Sequence, residues 1–400
     1  KLTQRTIPIR RFLMSCIFEI FKIFTGMGLA LHFATCGVSG GTPKSALEGF
    51  CRDGSIVGAV GLVALDGRVV SLETAGYADS ESKTPMSADT IFWIASQTKP
   101  ITAAAVMILV DEGRLSLDTP IARIVPELKN MRLRDGTVVP DSEITVRALL
   151  SHTAGFPEMP TDSPDFKADA TTLAEQMRVF SALPLEFRAG EKYLYSNVGI
   201  NIAGRIVEVV SGEPYEKFVE ARILEPLGMS DTSFVPSSAD LPRIASAYRF
   251  DESAGAFVKT QINVLSYPLD SPTRKPFPAG GVFSTARDML KFCRMLAQGG
   301  EYDGVRILSE RAVSEMRRRQ TGAGLEQSYG LCLFTTPDFY GHGGMFGTEM
   351  ANSADGRITV IYMVQKAGHF PKDGDKGAEI FRAAAVRTLA KSLQNKLPKQ

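Results

Sequence analysis

The residues best suited to chemistry open an otherwise apolar run, Ile94 to Val110, written IASQTKPITAAAVMILV. Ser96 and Lys99 stand three positions apart, so on a predicted helix they share one face and reach each other. Pro100 suits the first turn, where backbone N–H groups have no partner inside the helix. A serine at such an end lies beside unpaired N–H donors and the positive end of the helix dipole, which favour an oxyanion forming on a bound acyl group. A lysine among apolar neighbours loses part of its preference for the charged form and can then take the serine's proton. The chemistry this implies is acyl transfer to a serine hydroxyl. A second S-x-x-K run, Ser80-Glu81-Ser82-Lys83, lies in a polar loop with no helix to orient it and is set aside.

Two further segments carry compatible groups. Tyr195-Ser196-Asn197 precedes a helix predicted from Val198, and supplies a phenol for proton relay and an amide that could hold a substrate or the lysine. Gly341-His342-Gly343-Gly344 comes just before a predicted C-terminal strand pair, where glycines would let a substrate lie close against strand backbone.

The order and wide spacing of these three segments resemble the family of serine β-lactamases and penicillin-binding proteins. The particular branch is that of class C β-lactamases, D-Ala-D-Ala carboxypeptidases and family VIII carboxylesterases. LLSHTAGF at 149–156, EPLGM at 225–229 and PAGGVFSTARDM at 278–289 extend the likeness, which runs from about residue 50 to 390. The resemblance implies a β-lactamase/transpeptidase-like fold, with Ser96 as the acylated nucleophile and Lys99 as its proton partner. It makes Tyr195 a general base or proton relay, and Asn197 a residue that orients Lys99 and substrate. His342 stands where class C enzymes have the lysine of a Lys-Thr-Gly box, Gly343 follows it, and Gly344 takes the box's last glycine. The oxyanion donors would be the backbone N–H groups of Ser96 and Met345. His152, within LLSHTAGF, reads as a structural turn residue. No metal or organic cofactor is required.

Histidine in place of that lysine bears on substrate choice, because a neutral imidazole holds a carboxylate less firmly than a permanent cation. Carboxylester hydrolysis is therefore the leading reading. β-Lactam or D-amino-acid peptide hydrolysis, and a sensor that is acylated without turnover, remain alternatives. Family VIII esterases often have tryptophan at the box position, whereas the single tryptophan here is Trp93, just before the nucleophile.

The elements that must position these groups read as an α+β arrangement. Asp66-Gly67 favours a tight hairpin between strands at 56–65 and 68–76, and Ala354-Asp355-Gly356-Arg357 turns between strands at 347–354 and 358–365. Helices are predicted at 43–52, 101–112, 143–150, 171–182, 198–211, 214–226, 285–298 and from Gly377 to about Leu397. Thr285 and Asp288 suggest an N-cap and its acidic partner. Strands at both ends and helices between predict one antiparallel sheet built from both chain ends, flanked by helices, with an inserted helical lobe. The sheet lobe would span about 41–95 and 280–400, and the helical lobe about 96–279. Loops at 156–170 and 266–280 would rim a cleft.

Lysine plus arginine (45) nearly cancel aspartate plus glutamate (44), which gives no field to attract nucleic acid. The five cysteines and four histidines show no metal-binding spacing. Lys1, Arg5, Arg10 and Arg11 precede an apolar stretch, cleanest from Ile23 to Thr35, that fits a secretion signal. Residues 1–40 are thus expected to be an export signal, or a membrane tether lipidated at Cys36, which would place the protein in a bacterial periplasm or cell envelope. Gly37-Val38-Ser39-Gly40-Gly41 matches G-x-S-x-G but lacks the strand before it and helix after it that a nucleophile elbow needs.

Overall fold

The computed structural model describes residues 41–159, 167–368 and 376–394. The expected export or anchor segment at 1–40 and residues 160–166 of the first predicted cleft loop lie outside the described residues.

The elements that carry the architecture are α1 (Pro43–Arg52), β1 (Gly58–Leu65), β2 (Arg68–Asp79), α2 (Thr98–Asp111), α3 (Asn197–Ser211), α4 (Ala286–Ala297), β3 (Phe339–Gly343), β4 (Glu349–Ser353), β5 (Ile358–Val364) and α5 (Gly377–Gln394). They build a seven-stranded antiparallel sheet whose order is Phe334–Thr335, β3, β4, β5, β1, β2 and Thr84–Pro85. Early and late segments of the chain meet at its centre, where β1 pairs with β5 in the register Ala59↔Val364 to Leu65↔Ile358. The class predicted from the sequence, an antiparallel sheet from both ends with helices packed around it, is the fold observed.

Alternation along the central strands explains the two-sided cover. From β5, Ile358, Val360, Tyr362 and Val364 join Leu47 of α1 and Phe381, Ala385 and Leu389 of α5. The intervening Ile361 and Met363 turn to the opposite face, with Val60 and Leu62 of β1 and Phe292 and Cys293 of α4. Both faces of β1 and β5 are buried, which is why their sequences are nearly continuous apolar runs. The lack of a side chain at Gly61 is itself a packing feature, since a Cβ there would lie 2.3 Å from the Phe381 ring. Asp66 and Gly67 have φ of 48° and 77°, the left-handed pair that a two-residue hairpin requires.

α2 is buried continuously from Thr98 to Leu109, so it has no solvent face and acts as the axis of the helical region. α3 packs beside it. Several boundaries differ from the sequence expectation. The helix expected at 143–150 shortens to Val146–Leu150, and that at 214–226 becomes Tyr215–Val219 followed by a wider turn at Glu220–Leu224. Thr285 does cap α4, its Oγ1 accepting the Asp288 N–H at 3.2 Å. The Asp288 carboxylate, however, accepts from the Asp231 N–H and the Thr232 hydroxyl, tying the connection before α4 to the helix. The Gly341–Gly344 run precedes the strand pair β4–β5 as expected, and its first three residues also belong to a further strand, β3, that the sequence did not suggest.

Candidate active site

Ser96 does not lie in α2. It occupies a 3₁₀ turn, Ala95–Gln97, that feeds the helix, and Ala95 adopts a left-handed φ of 46°. The turn is held from both sides. The Ile94 N–H donates to the Val282 carbonyl at 3.0 Å, and the Thr98 hydroxyl donates to the Ala95 carbonyl at 2.7 Å while accepting the Val282 N–H at 3.1 Å. A left-handed alanine is unfavourable by roughly 1–2 kcal/mol, so the surrounding bonds must enforce it, and the turn presents Ser96 at the head of the helix.

Lys99 follows at the start of α2 with no exposed surface. Its Nζ lies 3.0 Å from Ser96 Oγ, 2.7 Å from Asn197 Oδ1 and 2.6 Å from the Ala279 carbonyl oxygen. Burial pushes the amine down to about 7, against the weaker pull of the Glu158 carboxylate. A neutral amine has two N–H donors and one lone pair. Two carbonyl-type acceptors take the donors, so the lone pair is left for the Ser96 hydroxyl proton.

Ala279 was not identified from the sequence as a site residue, because a backbone carbonyl has no residue-type signature; PAGGVFSTARDM was noted only as a phrase. Its peptide is fixed on both sides. The Ala279 N–H donates to Asn201 Oδ1 at 3.1 Å, and the Asn201 amide donates to Gln176 Oε1 at 2.9 Å. Thr102 donates to the neighbouring Pro278 carbonyl at 2.7 Å. The second predicted cleft loop, 266–280, is anchored by a fully buried ion pair, Arg274 Nε to Asp169 at 2.5 Å, with Ser266 also donating to that carboxylate.

Tyr195 and Asn197 flank the N-cap of α3. Ser196 Oγ accepts the Gly199 N–H at 3.0 Å and donates to the Pro157 carbonyl at 2.7 Å, which fixes the helix entrance and its two neighbours. Lys99 Nζ lies 4.7 Å from the centre of the Tyr195 ring, which sets the phenol beside the Ser96–Lys99 pair. Burial holds the phenol well above its usual range, so it is a neutral O–H at physiological pH. His152 packs beneath it. This residue has φ of 58°, its ring lies 4.5 Å from that of Tyr195, and its Nδ1 accepts the Ser196 N–H at 3.1 Å. The turn residue of LLSHTAGF therefore supports the segment that carries the phenol.

β3 brings the third segment. A Cβ on Gly344 would stand 2.5 Å from the Ile94 carbonyl oxygen and 2.2 Å from Thr348 Oγ1, so the strand's end is pressed against the Ser96 turn in a way only glycine permits. Among the described residues, no hydrogen bond within the protein engages the backbone N–H of Ser96 or Met345, and the Met345 side chain is exposed. His342 is buried, with its ring 6.2 Å from that of Tyr195. Its Nδ1–H donates to the Gly343 carbonyl at 2.7 Å, so its Nε2 accepts from the Tyr329 hydroxyl at 3.0 Å. Burial and the nearby Lys99 lower its pKa to about 3. Both ring nitrogens are committed in the neutral form.

A hydroxyl, a deprotonatable amine and a phenol thus share one site, beside two unengaged backbone donors. This arrangement defines a serine acyl-transfer centre. The chain belongs to the beta-lactamase family, which matches residues 44–385, and it is a serine hydrolase of that superfamily. It is 31% identical over 361 residues to Protein Rv1367c of Mycobacterium tuberculosis, covering 80% of this chain and 89% of that protein. It is 32% identical over 301 residues to esterase EstB of Burkholderia gladioli, covering 69% and 73% respectively. Among solved structures it is similar to D-amino acid amidase from Ochrobactrum anthropi SV3, with a TM-score of 0.71, 27% identity, and cover of 88% of this chain and 98% of that one.

Gly344→Ala tests the close approach of β3. The added methyl must push the strand end away from Ile94, so kcat is expected to fall by about 10²-fold with a smaller change in KM. Steady-state kinetics beside a thermal melt check this, and a wild-type kcat would show that the strand end does not have to sit so close.

Proposed function

We infer that this protein is a carboxylesterase that works through an acyl-enzyme on Ser96. In the first step Ser96 Oγ attacks the ester carbonyl as its proton passes to Lys99 Nζ. The oxyanion is received by the N–H groups of Ser96 and Met345. The proton then reaches the departing alkoxide through Tyr195 as the carbonyl–oxygen bond breaks. Water repeats the sequence in the second step and frees the acid. The raised phenol pKa makes Tyr195 a relay here, and the neutral Lys99 the base.

The observation that carries the ester reading is the neutral, doubly bonded His342 at the position where the resemblance would have a lysine. A β-lactam or a peptide C-terminus carries a carboxylate that this imidazole cannot pair with as a cation. The similarity to an esterase over most of the chain supports the same reading.

Three substrates offered to the purified protein decide it: p-nitrophenyl butyrate, nitrocefin and a D-Ala-D-Ala peptide. The ester is expected to give kcat/KM at least about 10²-fold above the other two, corresponding to one well-placed charge interaction. Comparable nitrocefin or peptide turnover would sink the ester reading. A stable acyl mass increase with no turnover would mark a sensor instead.

A further inference from the structure

The single tryptophan, Trp93, has no place in the proton transfers above, yet it is among the largest fully buried side chains. A buried indole needs an acceptor for its N–H. Here Nε1–H donates to the Gly280 carbonyl at 2.6 Å. The ring also meets Phe346 edge to face, with centroids 5.0 Å apart and planes at 74°. Its backbone is held as firmly. Trp93 pairs with Phe283 across a short antiparallel bridge, and its carbonyl accepts the Gln365 amide at 3.0 Å.

Two of these attachments fall one residue from a working part of the site. Gly280 follows Ala279, whose carbonyl holds Lys99 Nζ at 2.6 Å. Phe346 follows Met345, the expected second oxyanion donor. Trp93 itself stands three residues before Ser96, and Ile94 between them is tied to Val282. The peptide at 279–281 has little slack. The N–H groups of Gly280 and Gly281 both donate to the Phe277 carbonyl, and a Cβ on either glycine would lie 2.9 Å from Phe277. The Ala279 N–H is taken by Asn201, so the remaining freedom is the direction of the Gly280 carbonyl, which the indole fixes.

We propose that Trp93 is a positioning residue: one rigid indole, carried on the chain that leads into the Ser96 turn, sets both the Lys99 acceptor and the oxyanion turn at their working distance from Ser96. This rests on Ser96 being the nucleophile and is independent of which substrate it attacks.

Because the chain has one tryptophan, expression in a tryptophan auxotroph fed β-(3-benzothienyl)alanine replaces Trp93 alone, keeping the ring shape and removing the N–H. The substrate is whichever of p-nitrophenyl butyrate, nitrocefin and the D-Ala-D-Ala peptide the wild type turns over best. If the wild type is only acylated, the acylation rate followed by mass is read instead. Loss of the N–H is expected to lower kcat, or that rate, by about tenfold or more, with KM within about threefold. The half-maximal pH should move below that of the wild type. The Ala279 carbonyl favours the ammonium form of Lys99, so its withdrawal lowers the amine's pKa, whereas a general loosening admits water and raises it. The other ionisable groups coupled to Lys99, namely Glu158, Cys332, His152 and His342, lie on other segments and are common to both proteins. Phe346→Leu, which removes only the ring contact, should lower kcat and leave the half-maximal pH where it was. A benzothienyl protein with wild-type kcat, a half-maximal pH that stays or rises in it, or wild-type kcat in Phe346→Leu overturns the proposal while leaving Ser96 in place. Wild-type protein that is neither active on nor acylated by any of the three substrates removes Ser96 as nucleophile, and the proposal falls with it.

Discussion

Ser96→Ala is expected to lower kcat/KM for p-nitrophenyl butyrate by on the order of 10³-fold or more, while the protein stays folded. The size follows from the geometry. The hydroxyl stands 3.0 Å from Lys99 Nζ and is the group that would carry the acyl chain, so its loss removes the covalent step rather than weakening it. The backbone donors of the Ser96 turn would remain, which leaves residual binding without acylation. The same variant separates mechanism from contamination. Wild-type protein quenched during turnover should show an acyl adduct on the peptide containing Ser96, and the alanine variant should show none. Unchanged rates, or an adduct elsewhere, would remove Ser96 from the reaction.

The second large effect concerns Lys99. With its amine brought down to about 7, the group is cationic below that pH and has no lone pair for the Ser96 proton. The catalytic form is the deprotonated one, so kcat/KM should rise with pH, be half-maximal near 7 and level off above. His342, at about 3, is neutral throughout and adds no limb of its own between pH 5 and 9. Lys99→Arg installs a cation that cannot lose its proton in water. Activity should then fall by on the order of 10³-fold and should not recover at high pH. A pH profile from 5 to 9 on both proteins checks this, and an arginine variant that regains activity when made alkaline would show that Lys99 is not the base.

Much of this site could be read from residue types and spacing, because side chains do most of the proton transfer. Ser96, Lys99, Tyr195 and Asn197 belong to motifs whose chemistry is visible in one dimension, and the structure puts Lys99 Nζ within hydrogen-bonding distance of Ser96 and Asn197 and 4.7 Å from the centre of the Tyr195 ring. The parts that escaped notice are made of backbone or of long-range packing. The left-handed Ala95 gives no sequence signal, since alanine ordinarily favours the right-handed helix. The Ala279 carbonyl is placed by Asn201 and Gln176, residues that look like ordinary helix polar positions. Strand β3, written FYGHG, has too much glycine to suggest a strand, and forms because β4 pairs along its whole length. The hairpin at Ala247–Asp251 and Ala256–Thr260 exposes much of its length, so its hydrophobic periodicity is weak and tertiary contacts decide. The short helix Glu310–Arg317 does bury Ala312, Val313 and Met316 on one face behind a Ser309 cap, a signal that was present in the sequence and overlooked.

The central pairing of β1 with β5 joins residue 59 to residue 364, and β3 and β4 are hydrogen-bonded into the sheet through β5. Such distant pairings carry a high loop-closure cost and form slowly. During synthesis, Ser96 and Lys99 leave the ribosome long before the turn between β3 and β4 that carries Met345. A nascent chain therefore carries the serine and its base without a place for negative charge to settle, and acyl chemistry is withheld until the molecule is whole.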